Sequence, residues 1–132
     1  MAQYEHLPIY KKAFDMTIYI ENAVRGFSRY HKYSLGEDLR DLSRSVVRLV
    51  IRANSEKDRL STLRHLRDTI EELKVVIRVC KEVKALKDFN TFKYLIEEAI
   101  SLSRQSEGWI KSCISLPPPP AGAGRGRGGG KN

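Results

Sequence analysis

The fold of this chain is decided by Phe27-Ser-Arg-Tyr-His-Lys-Tyr-Ser-Leu-Gly-Glu-Asp-Leu39, because a long helical pattern follows from it and continues to about Asn54. Ser34 and Glu37 within this stretch have the spacing of a capping box, in which both side chains bond backbone N–H groups that a first helical turn leaves unpaired. The stretch therefore predicts a loop of basic and aromatic residues, followed by a helix that Ser34 caps.

The predicted helix has an apolar face and a basic face. At about 100° per residue, one arc contains Leu35, Leu39, Leu42, Val46, Leu49, Val50 and Ala53. A stripe of arginines lies nearly opposite and consists of Arg40, Arg44, Arg48 and Arg52. Because the arginines rise about 6 Å per step, the stripe can follow a phosphate backbone and is a candidate nucleic-acid contact. The alternative is a solvated face on which Arg40 and Arg44 pair with local acids, whereas Arg48 and Arg52 have no acidic partner nearby.

The loop before this helix adds to the same candidate surface. Arg29 and Lys32 alternate there with Tyr30 and Tyr33, and His31 lies between them. Cations of this kind contact phosphates, and aromatic rings offer a stacking surface for bases. We therefore expect Arg29 and Lys32 to contribute nucleic-acid contacts at one end of the helix.

Further helical patterns lie on both sides of this helix. Pro8 favours the start of a first helix that ends near Gly26, and a third helix is predicted from about Glu56 to Leu86. A fourth follows Lys87, with core positions alternately three and four residues apart at Phe92, Leu95, Ala99, Leu102, Ser106, Trp109 and Cys113. The connections are short enough to require antiparallel neighbours. The predicted fold is therefore all-α, an antiparallel up-down-up-down four-helix bundle over residues 1–116.

The composition changes abruptly at Pro117. Four prolines are followed by a glycine-rich run that contains Arg125 and Arg127. Such a segment cannot bury a core, so residues 117–132 are predicted to form a disordered Pro/Gly/Arg-rich tail. Arginine-glycine segments are typical of binding to nucleic acid without sequence preference, and a plain flexible terminus is the alternative.

The bulk composition favours a polyanionic partner. The chain has 24 Lys and Arg against 16 Asp and Glu, a formal net charge of +8 and a pI near 9.7. Its two cysteines lack the spacing of a zinc site, and a disulfide framework is not indicated. No signal-peptide pattern and no membrane-spanning run is visible in the sequence. We expect a soluble cytoplasmic protein without metal or cofactor.

Two further surfaces stand out in the pattern. The third helix carries a second basic face with Arg64, Arg67, Lys74, Arg78 and Lys81. The first two helices have more apolar positions than one core requires, namely Tyr10, Phe14, Ile18, Val47 and Ile51. The basic face extends the candidate nucleic-acid surface, and the apolar positions are candidate contacts between subunits of a homo-oligomer.

Signatures of catalysis are nearly absent. The sequence contains no phosphate-binding glycine loop, no His-Glu-x-x-His and no Glu-x-x-His pair. Some helical-bundle ribonucleases carry an Arg followed several residues later by His, a loose spacing that Arg25 and His31, and Arg59 and His65, both match. Neither pair lies at the start of the last helix, where those ribonucleases place their motif. No catalytic residue is assigned, and RNA cleavage is the less favoured alternative.

Three segments carry a resemblance to a known family. They are Phe-Ser-Arg-Tyr-His-Lys-Tyr-Ser-Leu-Gly-Glu before the second helix, Ile51-Arg-Ala-Asn54 at its end, and Gly108-Trp-Ile-Lys-Ser112 in the fourth. They resemble the accessory variability determinant (Avd-like) proteins of diversity-generating retroelements, over about residues 8–113. Ser28 departs from the proline common there. The bundle proteins of ribosomal-RNA intervening sequences are a sister family and the alternative, but their Ser-Ile-Pro-x-Asn-Ile-Ala-Glu-Gly segment is missing.

The resemblance implies a non-enzymatic partner of a retroelement reverse transcriptase. Such a protein is a basic homo-oligomer, pentameric in the known cases, that binds RNA and possibly DNA together with the polymerase. It supports mutagenic copying of a template RNA into a variable gene. A purely structural helical scaffold without affinity for polyanions is a further alternative, since a fold does not fix a function.

Overall fold

The computed structural model describes residues 3–114, and its regular structure in that range is entirely helical. A 3-10 turn precedes five α-helices with the bounds Gln3–His6 for the turn, then α1 Pro8–Arg25, α2 Arg29–Lys32, α3 Leu35–Ser55, α4 Leu60–Glu82 and α5 Phe89–Ile114. The predicted tail over residues 117–132 lies outside the described residues. The four long helices confirm the predicted all-α class, and α2 adds a single short turn.

The long helices pack as a closed bundle. Helix α3 packs against both α1 and α4, and α5 packs against both α4 and α1. Neighbours run antiparallel, since Glu21 near the end of α1 pairs with Arg40 near the start of α3. Helix α4 therefore lies diagonally across the bundle from α1, as in an up-down-up-down four-helix bundle.

The core is built from residues of all four long helices and includes the two seams that were predicted. In α3 the predicted arc is buried at Leu39, Val46, Leu49, Val50 and Ala53, and only its first and third members, Leu35 and Leu42, are half-buried. The α5 seam is buried in its middle at Leu95, Ala99, Leu102 and Ser106, and half-buried at Phe92, Trp109 and Cys113. The seams are confirmed, and they lose burial only towards the helix ends and along the sides of the bundle.

The start of α3 differs from the prediction. Ser34 makes no side-chain bond to the helix N-terminus, because its hydroxyl donates to the carbonyls of Tyr30 and His31 at 3.3 and 3.4 Å. The carboxylate of Glu37 lies 3.1 Å from Arg40 instead of reaching back. The predicted loop is instead the short helix α2. Carbonyls at the end of α2 accept the hydrogen bonds of the Ser34 hydroxyl. The capping-box prediction was therefore wrong.

Helix α4 is shorter than predicted at both ends. Before it, the guanidinium of Arg59 donates to the carbonyl of Glu56 at 2.9 and 3.0 Å and holds the connection outside the helix. At its C-terminal end Lys84 has a positive φ of 62°, and the amide of Ala85 donates to the carbonyl of Cys80 at 2.8 Å. A left-handed residue with such a bond is the usual way for a helix to close.

Helix α5 begins at a cap that the sequence analysis did not identify. Asp88 accepts hydrogen bonds from both the backbone amide and the hydroxyl of Thr91, each at 2.8 Å. The amide hydrogen bond holds the pKa of Asp88 below its ordinary value, because it stabilises the carboxylate. Asp88 therefore caps α5 in the way in which Ser34 was predicted to cap α3.

One end of the bundle holds α2 together with the α4–α5 connection. Gly26 and Phe27 after α1 line a crevice together with Leu86 and Lys87 after α4. Asp38 at the start of α3 is near Cys80 at the end of α4, and burial with this carboxylate raises the pKa of Cys80 to about 12. We call this the upper end.

Two helical glycines have opposite surroundings, which gives a first testable prediction. A Cβ on Gly36 would lie 2.8 Å from Val24 Cγ1 in the buried contact between α1 and α3, whereas a Cβ on Gly108 meets nothing within 4 Å. Gly108→Ala should therefore stabilise the protein by up to about 1 kcal/mol through helix propensity. Gly36→Ala should destabilise it by about 1–2 kcal/mol through overpacking.

Urea unfolding followed by circular dichroism measures both glycine variants under the same conditions. The expected result is a higher midpoint for Gly108→Ala and a lower midpoint for Gly36→Ala, with an unchanged dependence on urea. Equal midpoints for the two variants would contradict the close approach of α3 to α1 at Gly36.

Candidate nucleic-acid interface

The arginine stripe of α3 does not lie on one face of the bundle. Residues four apart on a helix are offset by about 40°, so the stripe turns by about 120° from Arg40 to Arg52. Arg40 and Arg44 lie towards α1, where both pair with Glu21 at 3.1 and 2.5 Å. Arg48 and Arg52 line a groove of about 520 Å³ between α3 and α4. The stripe is therefore two surfaces, each with its own neighbours.

The upper part of the stripe is held by acids. Arg40 lies between Glu21 of α1 and Glu37 of its own helix, and its side chain is only 30% exposed. Its Nε is 3.1 Å from Glu21 without the geometry of a hydrogen bond. The alternative of a paired face is therefore the observed state of Arg40 and Arg44, although the main partner, Glu21, is on a different helix from the expected acids.

The lower part of the stripe is more accessible. Arg48 donates to the hydroxyl of Ser45 at 3.0 Å, and no acid lies within ion-pair distance of it in the described part of the chain. Arg52 lies 3.9 Å from Glu56, an exposed and long ion pair of little strength, which corrects the expectation that it has no local acid. His65, Thr69 and Glu72 of α4 form the opposite wall of the groove.

The basic face of α4 also divides into paired and unpaired cations. Lys74 is only 15% exposed and bonds Glu71 at 2.8 Å, which lowers the pKa of that carboxyl. Arg67 lies 3.3 Å from Asp68, and Lys81 lies 3.5 Å from Glu82 and 5.2 Å from the ring centre of Phe92. Arg64 and Arg78 are exposed and form no ion pair within 4 Å among residues 3–114. Arg78 is close enough to Glu71 to contribute to the lowered pKa of that carboxyl, so Arg64 is the more available of the two.

The upper end adds cations that the sequence analysis did not include. Arg29 and Lys32 of α2 share this end with Lys84 and Lys87 of the α4–α5 connection, and Phe89 is exposed at the start of α5. Lys84 and Lys87 are distant in sequence from the stripe, and the predicted third helix continued to Leu86, so the connection was not recognised. A run of Lys at positions 81, 84 and 87 was the available signal.

The surplus apolar residues form one strip on the side of the bundle. Thr17 bonds the carbonyl of Ser43, and this antiparallel register places Phe14 at the level of Val47 and Tyr10 at that of Ile51. Tyr10 stacks on Phe14 with ring centres 5.9 Å apart, and Phe14 and Ile18 are 46% and 49% exposed. We call Tyr10, Phe14, Ile18, Val47 and Ile51 the α1–α3 strip.

A second apolar strip lies on the outer face of α4 and was missed. Val75, Val79 and Val83 are spaced four apart and are 55%, 40% and 45% exposed. Their spacing of four residues was the available signal in the sequence. Exposed acids border the valines, namely Asp68, Glu72 and Glu82. We call the three valines the α4 strip.

The two Arg–His pairs of the ribonuclease alternative, Arg25 with His31 and Arg59 with His65, do not come together in one site. Arg59 bonds the Glu56 carbonyl and lies 5.8 Å from the ring of Trp109 on α5, whereas His65 lines the groove between α3 and α4. Arg25 is exposed, and His31 packs edge-on against Tyr30. In the range 3–114 no three His, Cys, Asp or Glu side chains are grouped so that they could bind a metal ion. None of the helices described here has the length and apolar character to cross a bilayer.

Comparison with known proteins gives one match. A family model described as bAvd-like matches residues 7–113, from the residue before α1 to the last turn of α5. Comparison with curated proteins gives no match. The matched range contains α1 to α4, all of α5 except its last residue, both apolar strips, and the cations of α2, α3, α4 and the α4–α5 connection.

Proposed function

Because the chain belongs to the bAvd-like family, the accessory proteins of diversity-generating retroelements, we propose that it is a non-enzymatic partner of a retroelement reverse transcriptase. In this role it binds nucleic acid, assembles with copies of itself and holds the polymerase on its template RNA during mutagenic copying and retrohoming. The observation that carries the proposal is the family match across the whole bundle. We place the role in the cytoplasm, where the free thiols of Cys80 and Cys113 stay reduced.

Unpaired cations support the nucleic-acid part of the proposal. Arg48, Arg64 and Arg78 form no ion pair within 4 Å in the described range, and the chain as a whole carries a charge of +8. Cations outside such ion pairs can replace the counterions of a phosphate backbone, which is the main source of sequence-independent affinity. RNA is the expected ligand, and DNA is a second one, because phosphate contacts alone distinguish them poorly.

The two apolar strips support the assembly part. A ring of identical subunits needs two different, complementary patches on each subunit, whereas a two-fold dimer needs one patch that matches itself. The α1–α3 strip and the α4 strip lie on different helices and share no residue. They therefore provide the two different patches that a ring requires. The subunit number of five follows from the family resemblance.

The decisive test is copurification with the polymerase. A tagged form of this chain, coexpressed with the reverse transcriptase encoded beside it in the genome, is expected to retain that enzyme through nuclease treatment and a wash in moderate salt. An unrelated reverse transcriptase serves as the control. Equal retention of both enzymes, or of neither, would refute the proposed partnership.

A further inference from the structure

Exposed aromatic rings are concentrated at the upper end of the bundle. Tyr30 and Tyr33 are 85% and 71% exposed, and Phe89 at the start of α5 is 62% exposed. The remaining strongly exposed ring among residues 3–114 is Phe14, in the α1–α3 strip. A cluster of large exposed aromatic rings indicates an interaction site, because the subunit on its own leaves this apolar surface in contact with water.

Topology brings these rings together from distant parts of the sequence. Helix α2 follows α1 at the upper end, and the α4–α5 connection returns to the same end. Phe89 lines a pocket with Lys84 and Lys87, and a crevice lined by Phe27 and Leu86 lies beside it at the same end. The apolar floor of this crevice is continuous with the core.

The cations at the upper end outnumber the acids that could neutralise them. Asp88 is used as the cap of α5 and lies near Lys87, Glu37 pairs with Arg40, and Glu82 lies beside Lys81. Asp38 is a further exposed acid at this end. Four further cations form no ion pair within 4 Å in the described range. They are Arg29, Lys32, Lys84 and Lys87. The upper end therefore offers both rings and available positive charge.

Lys84 occupies a backbone position that suits glycine better. Its φ of 62° lies in the left-handed region, which costs a residue with a Cβ free energy that glycine does not pay. The side chain is exposed and contributes no packing to the core. Packing of the lysine side chain therefore does not offset the cost of this backbone conformation, and the charge is available to a ligand.

We propose that the upper end binds single-stranded nucleic acid through its unpaired bases. The bases stack on Tyr30, Tyr33 and Phe89, and the intervening phosphates contact the available cations. A duplex offers its phosphates but keeps its bases stacked internally, so it uses only half of this surface. The inference rests on the proposed nucleic-acid role and adds the ligand class: a strand with exposed bases, such as a template held open for copying.

The test compares three labelled ligands by fluorescence anisotropy at fixed salt. They are an oligothymidine of about 12 nucleotides, an abasic strand of the same length, and the matching duplex. The intact protein is expected to prefer the strand with bases over the abasic strand by roughly tenfold or more, because stacking contributes only when bases are present.

Tyr33→Leu and Phe89→Leu, combined in one variant, should remove most of this preference and leave abasic binding unchanged. Phe14→Leu is the matched control, because it replaces an exposed ring outside the upper end and should keep the preference. Lys84→Gly should weaken binding of both strands while raising stability, so unfolding cannot explain its loss of affinity.

The outcomes separate this inference from the proposed function. Binding of all three ligands without preference for bases would overturn the stacking site and leave the nucleic-acid role standing. Absence of binding to every ligand would overturn both. Loss of polymerase copurification in the Leu variant, without any change in strand preference, would assign the rings to a protein partner and also overturn the inference.

Discussion

Phe14→Glu and Val79→Glu are each expected to be monomers of about 15.1 kDa, and an equimolar mixture of the two is expected to contain a heterodimer. Each substitution places a charge in one of the two apolar strips. Burying an unpaired charge in an interface costs about 3–5 kcal/mol, which is a loss of roughly 10²–10⁴ in affinity. The heterodimer forms because each variant keeps the strip that the other has lost.

The variants should fold normally, because both positions are already accessible in the isolated subunit. Phe14 is 46% exposed and Val79 is 40% exposed. Light scattering after gel filtration and native mass spectrometry give the masses, and circular dichroism checks the helical content. Ser112→Glu is the control, since it adds the same charge at an exposed site of α5 outside both strips and should leave the mass of the assembly unchanged.

The mixture distinguishes a ring from a two-fold dimer. If the α1–α3 strip packed against itself, Phe14→Glu alone would break the assembly and Val79→Glu would have no effect. If the two strips pack against each other, either change is sufficient and the mixture stops at two subunits. An assembly of wild-type mass in Val79→Glu would contradict the role proposed for the α4 strip.

Replacing Arg48, Arg64 and Arg78 together with Gln is expected to flatten the salt dependence of RNA binding. Each lost phosphate contact lowers the slope of log affinity against log salt by about 0.7–0.9, so the triple variant should lose about 2 to 3 in slope. At low salt the affinity should fall by about a hundredfold or more. Filter binding of a structured RNA at several salt concentrations measures both quantities.

The control for this experiment uses cations that the fold already neutralises. Arg44 pairs with Glu21, and Lys74 is largely buried against Glu71. Replacing both with Gln removes two charges that already have acidic partners. The slope of log affinity against log salt should therefore change by less than about one. A larger loss in the control than in the triple variant would contradict the division into paired and unpaired cations. Salt-independent binding by the wild-type protein would contradict the electrostatic role altogether.

Much of the fold could be predicted because helical periodicity is a local property. The apolar arc of α3 and the seam of α5 follow from residue spacing alone, and the structure buries most of their residues. Helix ends were less predictable. Ser34 and Glu37 fit a capping box by type and spacing, but competing carbonyls of α2 take the hydroxyl. Asp88 caps α5 through Thr91, a pair with an equally simple spacing.

The sequence indicated that basic and apolar surfaces exist, but it did not identify all of their residues. The residues of the α1–α3 strip were selected because they fall outside the core period, and their role as subunit contacts stays a prediction. The α4 strip was missed, although its three valines are spaced four apart and are exposed. Lys84 and Lys87 were missed because the third helix was predicted to continue to Leu86, so the connection that contains both lysines was not recognised.

The sequence by itself determined the helices, their inner and outer faces, the excess of positive charge and the family resemblance, because each depends on residue type and spacing along one segment. The tertiary structure decided which charges are available. Glu21 neutralises Arg40 and Arg44 only because antiparallel packing places α1 beside the start of α3. Likewise, α2 and the α4–α5 connection become one surface only because four alternating helices return them to the same end of the bundle.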